Sequence, residues 1–412
     1  MNSTITEIMT FVKENDVKFV RLYFCDLLGK QKCVAIMADR LEAAFSEGIG
    51  FDAYAIKGFG EVEKSDLLLF PDPTTLAVLP WRPGTGRVAR FFCNIQKPCG
   101  AAFEGDGRAI LKRIIDQYAK RKLKCKVGAE CEFYLFETNE RGEPTSIPLD
   151  NGGYLDVSPL DKGSDIRREI CLTLEEMGIK PESSRHEQGP GQNEIDFRFD
   201  EPLAAADNLN TFKTVVMEIA ARHGLYASFG PKPIDNAPGN GLHLNLSIEK
   251  SGRNIFEDFP CKISGSFAAG ILDSIPQITA FCNPLEESYK RLGEFEAPKY
   301  VSWSKQNRSQ LIRVPYAVGQ RARIELRSPD PMANPYFAFA LVLAAGLEGI
   351  DNELSLPPAV DVNLYKAGRS FTQGLTALPD TLSNAIILAK KSKLIESVLG
   401  KDISSNYLSL LQ

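Results

Sequence analysis

Residues 128–136 read GAECEFYLF, and apolar and acidic side chains alternate along them. In a strand, successive side chains point to opposite sides. Ala129, Cys131, Phe133 and Leu135 therefore share one face, and Glu130 and Glu132 the other. The pattern returns three times. NEIDFRF sets Glu194, Asp196 and Arg198 against Ile195, Phe197 and Phe199, with Glu187 one Gly-Pro-Gly turn upstream in HEQGPGQ. GLHLNLSI sets His243, Asn245 and Ser247 against three leucines, and RARIELR sets Arg321, Arg323, Glu325 and Arg327 against Ala322, Ile324 and Leu326. Helical spacing predicts helices over about 108–121, 164–177, 208–222, 263–281, 334–349 and 381–399. Ahead of these, ITEIMTFVKEN and DRLEAAFSEG read as helices, and VKFVRLYFCD, KQKCVAIM, TTLAVLPW and RVARFFCNI as strands of a small mixed sheet. The Pro/Gly-bearing KPCGAAFEGD marks a boundary. The chain thus divides into a small domain over 1–100 and a large one over 101–412, of class α+β.

Composition narrows the partners. A chain of 412 residues exceeds one ordinary core. Its 48 Lys+Arg against 53 Asp+Glu form no basic arm, so nucleic acid is not expected. With no apolar run of about 18 residues and no leader pattern, neither membrane nor secretion is expected, and the location reads as cytoplasmic. Nine cysteines, without CxxC spacing and several inside apolar runs, read as free thiols of a reducing compartment.

A solvated antiparallel sheet accounts for one such strand. Four together, drawing on Glu, His and Arg with hardly any Lys, call for a cation. Hard carboxylate oxygens and a His suit magnesium or manganese, and the count serves two ions. The neighbouring arginines point to a phosphate-bearing ligand. With neither GxxxxGK[ST] nor GxGxxG in the chain, a sheet would hold the nucleotide. His186 and His223 lack ligand spacing and read as a strand neighbour and a helix-end residue.

The ordered set of Glu130 and Glu132, Glu187 and Glu194, His243, Arg308 in SKQNRSQLIRVP, and Glu325 with Arg327 in RIELRSPDPMANPY resembles the type I glutamine synthetase family, from about Val17 to about Tyr365. The resemblance implies a small β-grasp-like domain, then a large catalytic domain with a curved antiparallel sheet. It implies a homo-oligomeric ring of six whose sites lie between neighbours, each closed by the adjacent small domain. Glu132, Glu187 and Glu194 resemble the ligands of one metal, and Glu130, His243 and Glu325 those of the other. Arg308 and Arg327 match arginines of the phosphoryl group and substrate carboxylate, while Arg291 and Gly239 match the amino acid's site. Asn245, Ser247, Arg313 and Arg323 match the ATP side. Asp52, Tyr154, Glu187 and Glu296 match the groups around ammonium, with Asp52 as base and Glu296 on a covering loop. The activity implied is ATP-dependent ligation of ammonia to the γ-carboxylate of glutamate.

Departures bear on specificity. FDGSS becomes Phe51-Asp52-Ala53-Tyr54-Ala55, which opens an alternative acceptor, a small organic amine. NGSG becomes Pro238-Gly239-Asn240-Gly241, the loop from Arg291 to Glu296 is one residue short, and Asn193 replaces a His. A catalytically silent ring is the third reading, and such a protein would be expected to lose ligands. At the C-terminus only Tyr407, Leu408, Leu410 and Leu411 remain as apolar side chains for joining two rings. A dodecamer is the expected assembly, with a lone hexamer next.

Overall fold

The computed structural model describes residues 4–82 and 84–412. The helix Ile5–Glu14 starts at a capping box between Thr4 and Glu7. Six strands follow: β1 (Val17–Cys25), β2 (Gln31–Met37), β3 (Ile49–Asp52), β4 (Asp66–Pro71), β5 (Ala77–Val78) and β6 (Arg87–Gln96). They form one sheet in the order β2-β1-β6-β4-β3, with β5 on β6. β1 and β6 run parallel, and the other pairs antiparallel. β3 and β4 lie outside the sequence expectation. In DLLLFP nearly every position is apolar, which hides the period of two.

The large domain is organised on β7 (Leu123–Thr138), a strand of 16 residues. Its partners are β8 (Pro144–Pro148), β10 (Gln192–Phe197), β11 (Leu225–Ser228) and β12 (Leu242–Lys250). β12 and then β11 follow one edge of β7, and β10 and then β8 the other. Outside them sit β9 (Pro181–His186) on β10, β13 (Arg253–Asn254) and β16 (Ile324–Leu326) on β12, then β15 (Ile312–Val314) and β14 (Trp303–Lys305).

The apolar face of this sheet is covered by the helices Gly107–Lys120 and Pro202–Arg222. Asp106 caps the first through the Arg108 amide, and Pro202 opens the second at the position where a missing N–H costs nothing. Behind them, the helix Pro335–Asp351 is apolar almost all round, as a helix buried on every side must be. It crosses the helix Lys262–Cys282 at two glycines. A Cβ on Gly270 would lie 2.2 Å from the Ala345 carbonyl and 2.7 Å from the Gly349 backbone.

The two domains meet at Arg108. Its guanidinium, 2 % exposed, contacts Asp72 at 2.9 Å on the small-domain side and Asp207 at 2.9 and 3.2 Å in the large domain. Tyr336 donates to the same Asp207 at 2.6 Å.

Three sequence expectations are corrected. The helix expected over 381–399 is two, Leu382–Ala389 and Lys393–Leu399, broken at Lys390-Lys391-Ser392, where the Ser392 hydroxyl caps the second. RARIELR is a strand only over Ile324–Leu326, because Gly319–Arg321 forms a 3-10 turn. The last helix, Lys401–Leu410, packs into its own chain: Tyr407 is 1 % exposed, stacks on Phe281 at 4.2 Å, and donates to the Ala280 carbonyl. Tyr407 and Leu408 are thus core residues, and only Leu410 and Leu411 stay partly open. All nine cysteines are free thiols.

Candidate active site

Cross-strand register gathers the acidic residues. On β7 and β10, Glu132 faces Glu194 and Glu130 faces Asp196. On the other side of β7, Glu130 faces His243 of β12; Asn245 of β12 faces Glu325 of β16, and Glu325 faces Arg313 of β15. Directly opposed side chains in a sheet stand about 5 Å apart, so alternation along each strand becomes one patch across five.

Within that patch two sets converge. His243 Nδ1 lies 3.6 Å from Glu130 and 3.5 Å from Glu325. Glu132, Glu194 and His243 form a second set whose ligand atoms all lie within 4.8 Å of one another. Burial alone would raise the Glu130 carboxyl, but hydrogen bonds from His243 and Asn245 with the Arg323 charge outweigh it and hold it at about 2. Glu194 goes the other way. Burial, Asp196 and Glu132 push it well above the carboxylate range, and burial with Glu132 likewise raises Glu187. Buried carboxylates forced upward by their neighbours, beside a His and with few Lys, are the donor set that hard divalent cations relieve. The residues fit such ions.

Next to this patch lies a pocket lined by Glu132, Glu187, Gln192, Gly239, Arg291 and Arg327, among others. Its floor is fixed by backbone. Gly241 N–H donates to Glu132 at 2.6 Å, and Gln192 spans Glu132, the Gly239 carbonyl and Asn240. Arg291 is buried and donates to the carbonyls of Ser328 and Arg327, so it is no surface ion-pair residue. Arg327, 1 % exposed, contacts Glu325, yet among the described residues its Nε has no hydrogen-bond partner. A buried donor without a partner is costly and suits an anionic ligand.

The pocket is covered by the turn at residues 293–297. Glu296 accepts from Gln188 at 2.9 Å, its carbonyl from Arg327 at 3.2 Å, and its carboxylate lies 3.9 Å from Arg308. Lys232, with its side chain 2 % exposed, holds the turn through Glu294 at 3.2 Å and the Phe295 ring at 4.6 Å. A second cleft, lined by Glu130, Asp196, Phe199, Asn245, Ser247, Arg321 and Arg323, opens on the other side of the acidic patch.

The structure does not bring every candidate together. Asp52 is exposed at the end of β3 and accepts from the Tyr54 amide, and Tyr154 is 52 % exposed outside the pocket. Arg313 is held by Glu325 at 2.6 Å and does not line the second cleft. Asn240 and Asn193 turn inward, the first to the carbonyls of Ser228 and Gly230, the second to Arg167 and the Gly191 carbonyl. His223 caps the helix Pro202–Arg222. His186 is a buried support for Glu187: one ring nitrogen meets Asp150 at 2.8 Å and the other the Glu187 carbonyl at 2.7 Å.

Arg185, Gln188 and Gln192 escaped the sequence reading. A signal existed for Arg185, since Ser183, Arg185 and Glu187 alternate like the other polar faces, but PESSRHE has no apolar face opposite to mark a strand.

The family description "Glutamine synthetase, beta-Grasp domain" matches residues 16–98, and "Glutamine synthetase, catalytic domain" matches residues 104–412. A glutamine synthetase of Methanosarcina mazei is 46 % identical over 414 residues, covering 98 % of this chain and 93 % of that protein. One of Clostridium saccharobutylicum is 45 % identical, covering 98 % and 94 %. Among solved structures, a GmaS/ADP complex superposes with a TM-score of 0.89 at 29 % identity, covering 100 % of this chain and 95 % of that one.

Proposed function

Because the chain belongs to the glutamine synthetase family, we propose that its site makes glutamine from L-glutamate, ammonia and ATP. The γ-carboxylate attacks the terminal phosphorus of ATP, ADP leaves, and the acyl phosphate is then opened by ammonia with loss of phosphate. In this reading residues 1–100 and 101–412 are the two domains of a cytoplasmic homo-oligomer. The observation that carries it is the acidic patch shared by adjacent strands, with a buried arginine pocket on one side and a cleft on the other.

Glu132, Glu187 and Glu194 would hold one divalent ion, and Glu130, His243 and Glu325 the other. Such ions, when bound, neutralise charge on the transferring phosphoryl group. Arg291 and Gly239 form the wall for the amino acid's backbone, and Arg327 with Arg308 meets the phosphoryl oxygens. Asn245, Ser247 and Arg323 face the nucleotide. Arg313, tied to Glu325, orients that ligand. Ammonium must lose a proton before it attacks; Asp52 of a neighbouring subunit takes it, with Tyr154, Glu187 and Glu296 around the cation. Glu296 also closes the pocket against water. The full-length relatives are glutamine synthetases, so the organic-amine alternative is not favoured, and a silent ring would not keep all six ligands.

The test is phosphate release from ATP with glutamate, with and without Mg2+ or Mn2+, against ammonia, methylamine, ethylamine and ethanolamine. Metal-dependent release with ammonia is expected. Release supported only by an organic amine, or independent of glutamate, overturns the reading.

A further inference from the structure

Arg185 stands directly across from Glu194 in the pairing of β9 with β10, with Ser183 across from Asp196. Its guanidinium forks between two acids, one nitrogen on Glu194 and the other on Asp196, and lies 3.9 Å from Glu187. Ser183 supports both Arg185 and Asp196. The fork matters because Glu130, Glu194 and Asp196 are themselves a set whose ligand atoms lie within 4.8 Å of one another. These are therefore the acids of a third cation position, beside the two assigned above.

We propose that Arg185 is a protein-borne cation filling this third position, so that the chain takes two divalent ions where its carboxylates would otherwise take three. An arginine keeps its charge at any working pH, and its planar fork suits two carboxylates at once. Arg185 bonds one oxygen of Glu194, Oε2, while Glu194 also belongs to the set with Glu132 and His243. It thereby orients a ligand while occupying the space beside it. On Asp196, Oδ2 is held by Arg185 and Ser183, whereas the buried Oδ1 has no hydrogen-bond partner among the described residues. Arg185 is thus a positioning residue that also fixes the charge count.

This inference rests on the two-metal reading, and one experiment separates the two. Mn2+ is titrated into the full-length protein, with free Mn2+ followed by electron paramagnetic resonance, for wild type, Arg185→Gln, Arg185→Met and Arg185→Lys. Wild type and Arg185→Lys are expected to bind about two ions per subunit, and the uncharged variants about three. Thermal unfolding in chelator should show a lower Tm for the uncharged variants, and Mn2+ should raise it further than in wild type. If wild type binds no Mn2+, the two-metal reading falls whatever Arg185 does. If wild type and the uncharged variants bind the same number, only the role of Arg185 falls. Uncharged variants that fold with Mn2+ but not in chelator support the proposal, and variants that fold in neither overturn it, because no metal then replaces the guanidinium.

Discussion

Glu187 shows how one side chain reports on its neighbours. Burial and the Glu132 charge raise its carboxyl, so as a carboxylate it destabilises the fold until a cation arrives. Glu187→Gln should therefore keep or raise the Tm in chelator, yet lower metal-dependent ligation by at least about 100-fold, beyond the 10–100-fold typical of groups one layer out. Thermal scans beside phosphate-release assays check both halves; a variant that ligates normally removes Glu187 from the ligand set. His186 works by the opposite logic. Both its ring nitrogens face acceptors, so the ring donates twice and is the imidazolium. Burial opposes that charge, but the bonds to Asp150 and to the Glu187 carbonyl raise the ring above 6.5. On Asp150, burial is outweighed by His186 and by backbone amides, which hold the carboxyl at about 2. The raised His contributes fully below 6.5 and loses its contribution as pH rises through its folded value; the depressed Asp contributes above 3.8 and loses it as pH falls toward 2. His186→Asn should cost about 3 kcal/mol near pH 6 by urea unfolding, with the gap to wild type shrinking as pH rises through the ring's folded value. A gap unchanged over that range would mean the ring is neutral.

At the scale of elements, the crossing of the two buried helices is set by the absence of side chains. Gly270→Ala would press a methyl group against the Ala345 carbonyl and the Gly349 backbone, neither of which is a flexible chain end. A loss of about 2 kcal/mol or more is expected from urea denaturation, whereas a neutral result would mean that the helices slide apart at no cost. Such a crossing is invisible in the sequence, which shows only a Gly in each of two apolar runs. What was legible is the set of strands whose polar face is uniform and whose other face is apolar: 128–136, 193–199 and 242–249 declare themselves, and with them four of the six proposed metal ligands, Glu130, Glu132, Glu194 and His243, while Glu187 and Glu325 came from the flanking HEQGPGQ and RIELR. β9 did not, because none of Glu182 to Arg185 is apolar. The break at Lys390-Lys391-Ser392 was hidden because apolar residues keep helical spacing on both sides of it. Neither was it legible that Tyr407 and Leu408 belong to the chain's own core, since an amphipathic end reads the same whether its partner is this chain or another.

On the scale of the whole molecule, Asp52 lies exposed on the small sheet, away from the pocket lining, and the proposed chemistry needs it at a site. Mixing settles whose site. Asp52→Asn subunits keep the acidic patch, and Glu194→Gln subunits keep Asp52, so neither alone should ligate. If each Asp52 serves the next subunit, co-assembly at equal ratio should restore about a quarter of wild-type activity, the fraction of interfaces with both intact halves. No recovery in assemblies shown to be mixed would place Asp52 in its own chain's site. The Arg108 junction gives that arrangement its mechanics. Asp72 and Asp207 grip one guanidinium from both domains with almost no solvent access, so this contact ties the small sheet to the large domain. In the proposed ring each subunit would act as a wedge, and the spacing between Asp52 and its neighbour's carboxylates would be set by how the wedges are tilted. In such a ring, alignment is a shared tolerance: an error at one joint is carried undamped to the next.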